Sequence, residues 1–305
     1  MSASKTKTFL KKIFSLLSVV RGYNILVLIF AQYLASIFIF SSQNSAASVV
    51  FDVHLFYIVI ATVCVVASGY IINNFYDSQV DRINRPFKSG LDNYIKQETK
   101  LSLYFTLNFI GFVFGFLVSW KAALFFAIYI FAIWFYSHNL KKHPFRGLLS
   151  ATILTILPFF AIFVYYKNFS KIIFVHAVFL FLVIMLRELV KELENLTGAI
   201  ANNYKTFTVS YGEKNTKKLC FALLFLTIFP VVILFSYPEL SYMKYYFYLA
   251  LITLIFVGFY LSKSTKRSQY RFLHNILKLL LLVGVFSLVF IDTSLIIDKV
   301  IDKLN

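Results

Sequence analysis

Charge is scarce in this sequence. Aspartate and glutamate together number 13 in 305 residues, and all charged residues make up 14%, where a soluble domain carries roughly 25%. Water is therefore a poor main solvent for the chain. Cysteine is nearly absent: Cys64 and Cys220 sit within or beside apolar runs, which reads as two small buried hydrophobes and excludes a disulfide framework. There is no low-complexity linker and no hydrophilic stretch long enough to build a soluble domain. There is also no P-loop, no dinucleotide fingerprint and no nucleophile elbow. His138 and His143 are five apart, a spacing that suits no common zinc site.

What fills the chain is apolar: 60% of residues are hydrophobic and 19% aromatic. They fall into nine blocks: Tyr23–Phe40, Val49–Ile72, Leu101–Ser119, Ala122–Tyr136, Leu148–Tyr166, Ile172–Leu186, Leu219–Phe235, Tyr245–Leu261 and Phe272–Ile291. A helix needs roughly 20 such residues to cross the hydrocarbon. Runs this long are not barrel strands, and in lipid a helix satisfies its own backbone. The expected fold is all-α: a polytopic membrane bundle of about nine transmembrane helices, with residues 1–305 as one domain. The first block is followed by Ser45-Ala46-Ala47 and looks superficially like a secretion signal. It is longer than the 7–15 residues usual for a signal core, so it reads as a retained helix.

The net charge of +17 raises the question of nucleic acid, and position answers it. Five Lys or Arg precede the first block, and loops 73–100, 137–147, 187–218 and 262–271 bring this alternating set to 23; the opposite set holds six. That asymmetry is the positive-inside pattern. It places the N-terminus and those loops in the cytoplasm and the C-terminus outside, in a cell membrane expected to be a bacterial inner one. A basic cytoplasmic face attracts anionic headgroups and phosphorylated substrates rather than DNA.

The two longest hydrophilic loops, 73–100 and 187–218, lie four helices apart, and each opens with acids at four-residue spacing. This suggests two related halves with one polar loop from each. In the first loop, Asn73, Asp77 and Asp81 follow one another at i, i+4, i+8 and form a row on a helix. Two carboxylates at that spacing repel by about a few tenths of a kcal/mol and become favourable around a cation. Oxygen donors suit Mg²⁺, which completes its shell with water and substrate phosphate. Arg82 and Arg85 can face phosphate oxygens with bidentate geometry. Pro86 bars Arg85 from the helical region, so the helix should end there.

This segment resembles the first aspartate-rich motif of the UbiA superfamily of intramembrane prenyltransferases. Asn73, Asp77, Asp81, Asn84, Arg85 and Pro86 match it, the resemblance reaches upstream to Arg21 and Asn24, and Asn74 stands where many members carry Asp. The second loop is similar to the family's second motif, in the wording of its geranylgeranylglycerol-phosphate geranylgeranyltransferase branch. Arg187, Glu188, Lys191, Glu194, Gly198, Thr206, Val209 and Gly212 match, and Glu192 replaces Asp. Asn195 and Ala199 stand where members commonly carry a pair of aspartates; Asn195 still offers an oxygen and Ala199 offers none.

The resemblance implies helices around a central cavity and a Mg²⁺-dependent transfer of a polyprenyl group from its diphosphate. The acceptor would be of glycerol-phosphate type or aromatic, held with the donor among membrane lipids. On this reading the metal ligands are Asn73, Asp77, Asp81, Glu192, Glu194 and Asn195, with Asp77, Asp81 and Glu192 central to catalysis. Arg82, Arg85, Lys141, Lys142, Lys191 and Lys205 would bind diphosphate. Two other readings stay open. Asn74, Asn195 and Ala199 also fit a lipid-binding descendant without activity. A transporter would place its ionisable groups near mid-membrane, whereas these acids cluster at helix ends.

Overall fold

A computed structural model describes residues 2–41 and 44–292, with side chains from residue 11 onward. Among the described residues there is no strand. The helices are α1 Ser2–Val19, α2 Gly22–Ala35, α3 Ala46–Val50, α4 Val53–Tyr76, α5 Ser78–Asn84, α6 Pro86–Asp92 and α7 Gln97–Val118. There follow α8 Trp120–His138, α9 Pro144–Tyr166, α10 Lys171–Glu194, α11 Leu196–Ala201, α12 Phe207–Phe235, α13 Lys244–Lys263 and α14 Arg267–Ser287. Among the described residues nine segments are long and apolar enough to cross a membrane, one for each expected block.

The bounds differ from the hydropathic blocks in two instructive ways. The second span begins at Val53 rather than Val49, because Ser45 caps a separate short helix, α3, by accepting the Ser48 N–H at 3.2 Å. The sixth span does not stop where its apolar block stops. α10 runs on to Glu194, since Arg, Glu, Lys and Leu are all good helix formers. α1 precedes the first span and carries exposed Ile13, Phe14 and Leu17 beside buried Ser15 and Val19.

Packing divides the described residues into two compact units. The first runs up to Ile29 and adds Val53–Leu154 and Asn195–Ser210; the second holds Phe30–Asp52, Thr155–Glu194 and the chain from Tyr211 onward. The expectation of one polar loop per half is not what forms. The end of the second loop, Asn195–Ser210, packs with the first loop.

In the first unit, α4 packs on α7 and α8. Ser68 of α4 donates to Asn108 of α7 at 2.5 Å within the apolar layer. Val19, Ile71, Ile72 and Tyr104 form a buried cluster, with Tyr76, Leu101 and Trp134 against it. This apolar anchor immediately precedes Asn73 in the chain and fixes the angle at which α4 delivers the first motif. In the second unit, α10 and α13 both pack on α14. Phe179 of α10 meets the Phe247 ring of α13 edge-on at 5.2 Å. Gln32 Nε2 donates to the Pro158 carbonyl at 3.1 Å and ties α2 to α9. Large side chains such as Phe109, Ile255 and Phe259 point outward, as lipid contact requires.

Candidate active site

The first motif leaves the end of α4 without losing its register. Asp77 lies between α4 and α5 at φ −88°, ψ 5°, yet hydrogen bonds of helical spacing continue through it and beyond. Asp77 N–H donates to Asn73 O at 2.9 Å, Asp81 N–H to Asp77 O at 2.8 Å and Arg85 N–H to Asp81 O at 2.7 Å. Asn73, Asp77, Asp81 and Arg85 thus remain one row. Arg85 is non-helical at φ −144°, ψ 61°, and Pro86 is the first residue of α6, the position where its missing N–H costs least.

A lysine ammonium sits at the head of the row. Lys141 Nζ lies 2.6 Å from Asp77 Oδ1 and 3.3 Å from Asn73 Oδ1. It also lies over the rings of Tyr76 and Tyr204, at 5.7 and 6.0 Å. Tyr204, from the second loop, donates its hydroxyl to the same Asp77 oxygen at 3.3 Å. Burial lifts the Tyr204 phenol well above its ordinary value, and the Asp77 charge lifts it further, so it is a hydrogen-bond donor at neutral pH. Burial also raises the Asp81 carboxyl and Asp77 adds to the rise, while Arg85, Lys88 and Arg21 pull it back. Upstream, Arg21 lies over the Tyr70 ring at 4.9 Å, and Asn24 Nδ2 reaches Tyr70 Oη at 3.4 Å. Both therefore brace α4 one turn before the motif. Arg82, Lys142 and Lys205 are exposed, and the Lys205 N–H bonds the Lys142 carbonyl at 3.0 Å, which sets these two lysines side by side. His138 stacks on Trp134 and meets Tyr76 Oη at 3.1 Å, a role in packing.

Asn84 joins the two loops. It is 2% exposed; its Nδ2 donates to Asn195 O at 3.1 Å and its Oδ1 accepts the Gly198 N–H at 3.2 Å. A Cβ on Gly198 would collide with the Asn84 side chain, so glycine here is a condition of close approach. Ala199, next in line, is buried.

The departure at Asn74 has a local explanation. Asn74 Nδ2 donates to Asp92 Oδ2 at 2.8 Å, and its Oδ1 accepts from Lys100 Nζ at 2.9 Å. Asp92 also takes Lys88 Nζ at 2.6 Å and Ser18 Oγ at 2.7 Å. Asn74, Asp92 and Lys100 are all buried. The amide links a carboxylate to an ammonium and ties α1, α4, α6 and α7 behind the motif. Sequence reading missed this group because Asp92 and Lys100 follow no motif spacing and their burial arises only on packing.

In the second unit the acids of α10 are engaged. Glu188 holds Arg187 Nη1 at 3.1 Å and Lys191 Nζ at 2.6 Å. Glu194, 4% exposed, meets Arg271 Nε at 3.1 Å and His274 Nδ1 at 2.8 Å, while its backbone carbonyl accepts from Arg267 Nε at 3.1 Å. Glu192 lies within electrostatic reach of Cys220 on α12. The contribution of α14 was invisible in the sequence, where the last spans carry only hydropathy. Gly212, inside the helical run of α12, has φ 78° and ψ 165°, a region open to glycine alone.

The donor set of the first row fits magnesium. Among the described residues no three His, Cys, Asp or Glu side chains cluster as metal ligands. Mg²⁺ needs less, since it is usually held by one or two carboxylates plus substrate phosphates. Asn73 and Asp77 turn oxygens towards a single positive charge, the Lys141 ammonium.

The sequence profile of the UbiA prenyltransferase family matches residues 24–285. The digeranylgeranylglyceryl phosphate synthase of Methanosphaera stadtmanae is 29% identical over 66% of this chain and 74% of its own length. That of Saccharolobus solfataricus is 27% identical over 64% and 68%. Among solved structures, one of a digeranylgeranylglyceryl phosphate synthase superposes with a TM-score of 0.67 at 18% identity, covering 92% of this chain and 98% of the other. A UbiA homologue from Archaeoglobus fulgidus, bound to GPP and Mg²⁺, gives 0.66 at 14% identity over 90% and 99%.

Proposed function

Since this chain belongs to the UbiA prenyltransferase family, we propose that it moves a geranylgeranyl-type polyprenyl group from its diphosphate to a glycerol-phosphate-type lipid, with Mg²⁺ held by Asn73, Asp77 and Asp81. The observation that carries this reading is the row of three oxygen-bearing side chains, kept in helical register through Asp77, two of which, Asn73 and Asp77, turn onto a cation. Two relatives named as digeranylgeranylglyceryl phosphate synthases support the choice of acceptor.

Bound Mg²⁺ would neutralise charge developing on the leaving diphosphate. The rest falls to the chain's own side chains. Lys141 holds Asp77 and Asn73 in place before substrate arrives, and its ammonium then meets a phosphate oxygen. Tyr204, kept protonated, donates a hydrogen bond beside Asp77. Arg82, Arg85, Lys142 and Lys205 take further phosphate oxygens. Glu192 and Asn195 are the oxygen donors of the second loop. Glu194, its oxygens occupied by Arg271 and His274, has a structural role on this reading rather than a metal-binding one. As the allylic C–O bond breaks, aromatic walls stabilise the developing carbocation. An acceptor hydroxyl then forms the new C–O bond and releases its proton. We place the N-terminus and the motif loops in the cytoplasm of the cell membrane (the inner one in a bacterium), on the strength of the 23-to-six charge asymmetry.

The test is Mg²⁺-dependent release of diphosphate from radiolabelled geranylgeranyl diphosphate by the purified chain in detergent, across a panel of acceptors. Turnover with glycerol-phosphate lipids, lost in Asp77→Ala, supports the reading. Donor binding without turnover on any acceptor overturns it in favour of a lipid-binding role, and no donor binding at all leaves a transporter.

A further inference from the structure

Positive charge on α10 and α14 exceeds what their own acids neutralise. Arg267, Arg271 and His274 fall at i, i+4, i+7 at the start of α14 and converge on Glu194 at the end of α10. One turn and a half earlier on α10, Glu188 holds Arg187 and Lys191. The group contains four fixed cations and two carboxylates, an excess of two positive charges with His274 neutral. Counting Glu192, the remaining acid of this stretch, leaves the balance still positive. An excess of partly exposed positive charge attracts an anionic group, and this one lies at the end of one span and the start of another.

The geometry says what kind of counter-charge fits. Each oxygen of Glu188 and Glu194 already has a basic partner, so these acids hold cations rather than offer ligands to a metal. Arg271 is gripped through Nε alone and its side chain is 53% exposed, which turns the two-pronged edge of the guanidinium outward. Lys191 is 29% exposed beside its acid. Arg187 Nε is buried with no hydrogen-bond acceptor among the described residues. A phosphate monoester carries about −1.5 to −2 charge at pH 7 and three strong acceptor oxygens, and arginine recognises it through paired N–H donors.

We propose that Arg187, Lys191 and Arg271, held by Glu188 and Glu194, form a metal-free anion site for the phosphate monoester headgroup of the acceptor lipid. The proposal rests on the prenyl-transfer reading and deepens it. The motif resemblance groups Lys191 with the diphosphate-binding residues; its ion pair with Glu188 assigns it to this site instead. The donor diphosphate is left to Arg82, Arg85, Lys141, Lys142 and Lys205, whereas here charge balance and exposed guanidinium call for a single phosphate without a metal. A lipid headgroup suits the site better than free phosphate because both helices bearing it are membrane spans.

The test is a binding experiment that needs no turnover. The full chain in phosphatidylcholine nanodiscs is titrated with a prenyl-ether glycerol phosphate, with its phosphate-free alcohol and with inorganic phosphate. The phosphorylated lipid should bind about tenfold or more tightly than the alcohol. Arg271→Gln and Lys191→Gln should bring that preference to within about twofold, Arg271→Lys should restore only part of it, and Mg²⁺-dependent binding of geranylgeranyl diphosphate should hold in all three. Variants that lose donor binding instead, or that keep the full preference, overturn the site; so does binding of inorganic phosphate without the lipid. If Arg271→Gln fails to fold, Lys191→Gln carries the test, since its side chain is partly exposed. A wild type that turns over no acceptor yet shows this preference would sink the enzymatic reading and leave the anion site standing.

Discussion

At the scale of single residues, the role of each motif side chain follows from the atoms it already touches. Gly198 was legible as a motif position, but its physical reason was not: the backbone passes so close to Asn84 that no side chain fits. Gly198→Ala should destabilise the protein by about 1–3 kcal/mol, the usual range for overpacking. The double variant with Asn84→Ala should cost less than the sum of the two single changes, measured by unfolding in mixed micelles. Additive costs would show that the two residues do not press on each other.

Asp81 gives a pH signature. Its folded pKa is raised above the ordinary 3.8, chiefly by burial, so its neutral form is the one the metal-free fold prefers. Any stability from Asp81 is complete below the ordinary carboxylate value and is lost as pH rises through its own higher value. Asp81→Asn should therefore gain melting temperature over wild type as pH climbs through that window in EDTA. Saturating Mg²⁺ should reverse the order. A pH-independent difference would contradict a buried, metal-seeking carboxylate.

Elements supply what motifs could not. The end of α4 was readable as a helical row of acids, and the break at Arg85-Pro86 followed from proline sterics alone. That α1, α6 and α7 converge behind the row on Asp92 was not readable, because the partners Ser18, Asn74, Lys88 and Lys100 are scattered over more than 80 positions and meet only on packing. The exchange of Asp for Asn at position 74 looked like erosion in sequence; in the fold it is a neutral bridge between Asp92 and Lys100. Asp92→Ala leaves the buried Lys100 ammonium short of its counter-charge and should cost about 3–5 kcal/mol. The check is the unfolding midpoint of Asp92→Ala against that of Asp92→Asn, which keeps the hydrogen bonds and should fall less. α14 teaches the same lesson from the other side, since apolar periodicity hid a basic face that acts at the end of α10.

At the scale of the molecule, the nine spans among the described residues were legible because lipid demands long apolar helices, and that demand is local. The division into units was not legible, because it depends on where Asn195–Ser210 packs, and no periodicity reports that. Topology remains a matter of charge, with a direct check: cysteines placed at position 90 and at position 239 in a Cys64→Ala, Cys220→Ala background should respond oppositely to a membrane-impermeant thiol reagent added to intact cells. The reagent should label position 239 and spare position 90; the reverse would invert the proposed orientation.

The most direct measurement is the Mg²⁺ dependence of donor cleavage in Asp77→Ala beside wild type, with radiolabelled geranylgeranyl diphosphate and a saturating glycerol-phosphate lipid. The acid row as magnesium seat predicts a fall in rate of about a hundredfold or more, together with a higher Mg²⁺ requirement. An Asp77→Ala protein that folds, turns over at the wild-type rate and needs no more Mg²⁺ than wild type would contradict it.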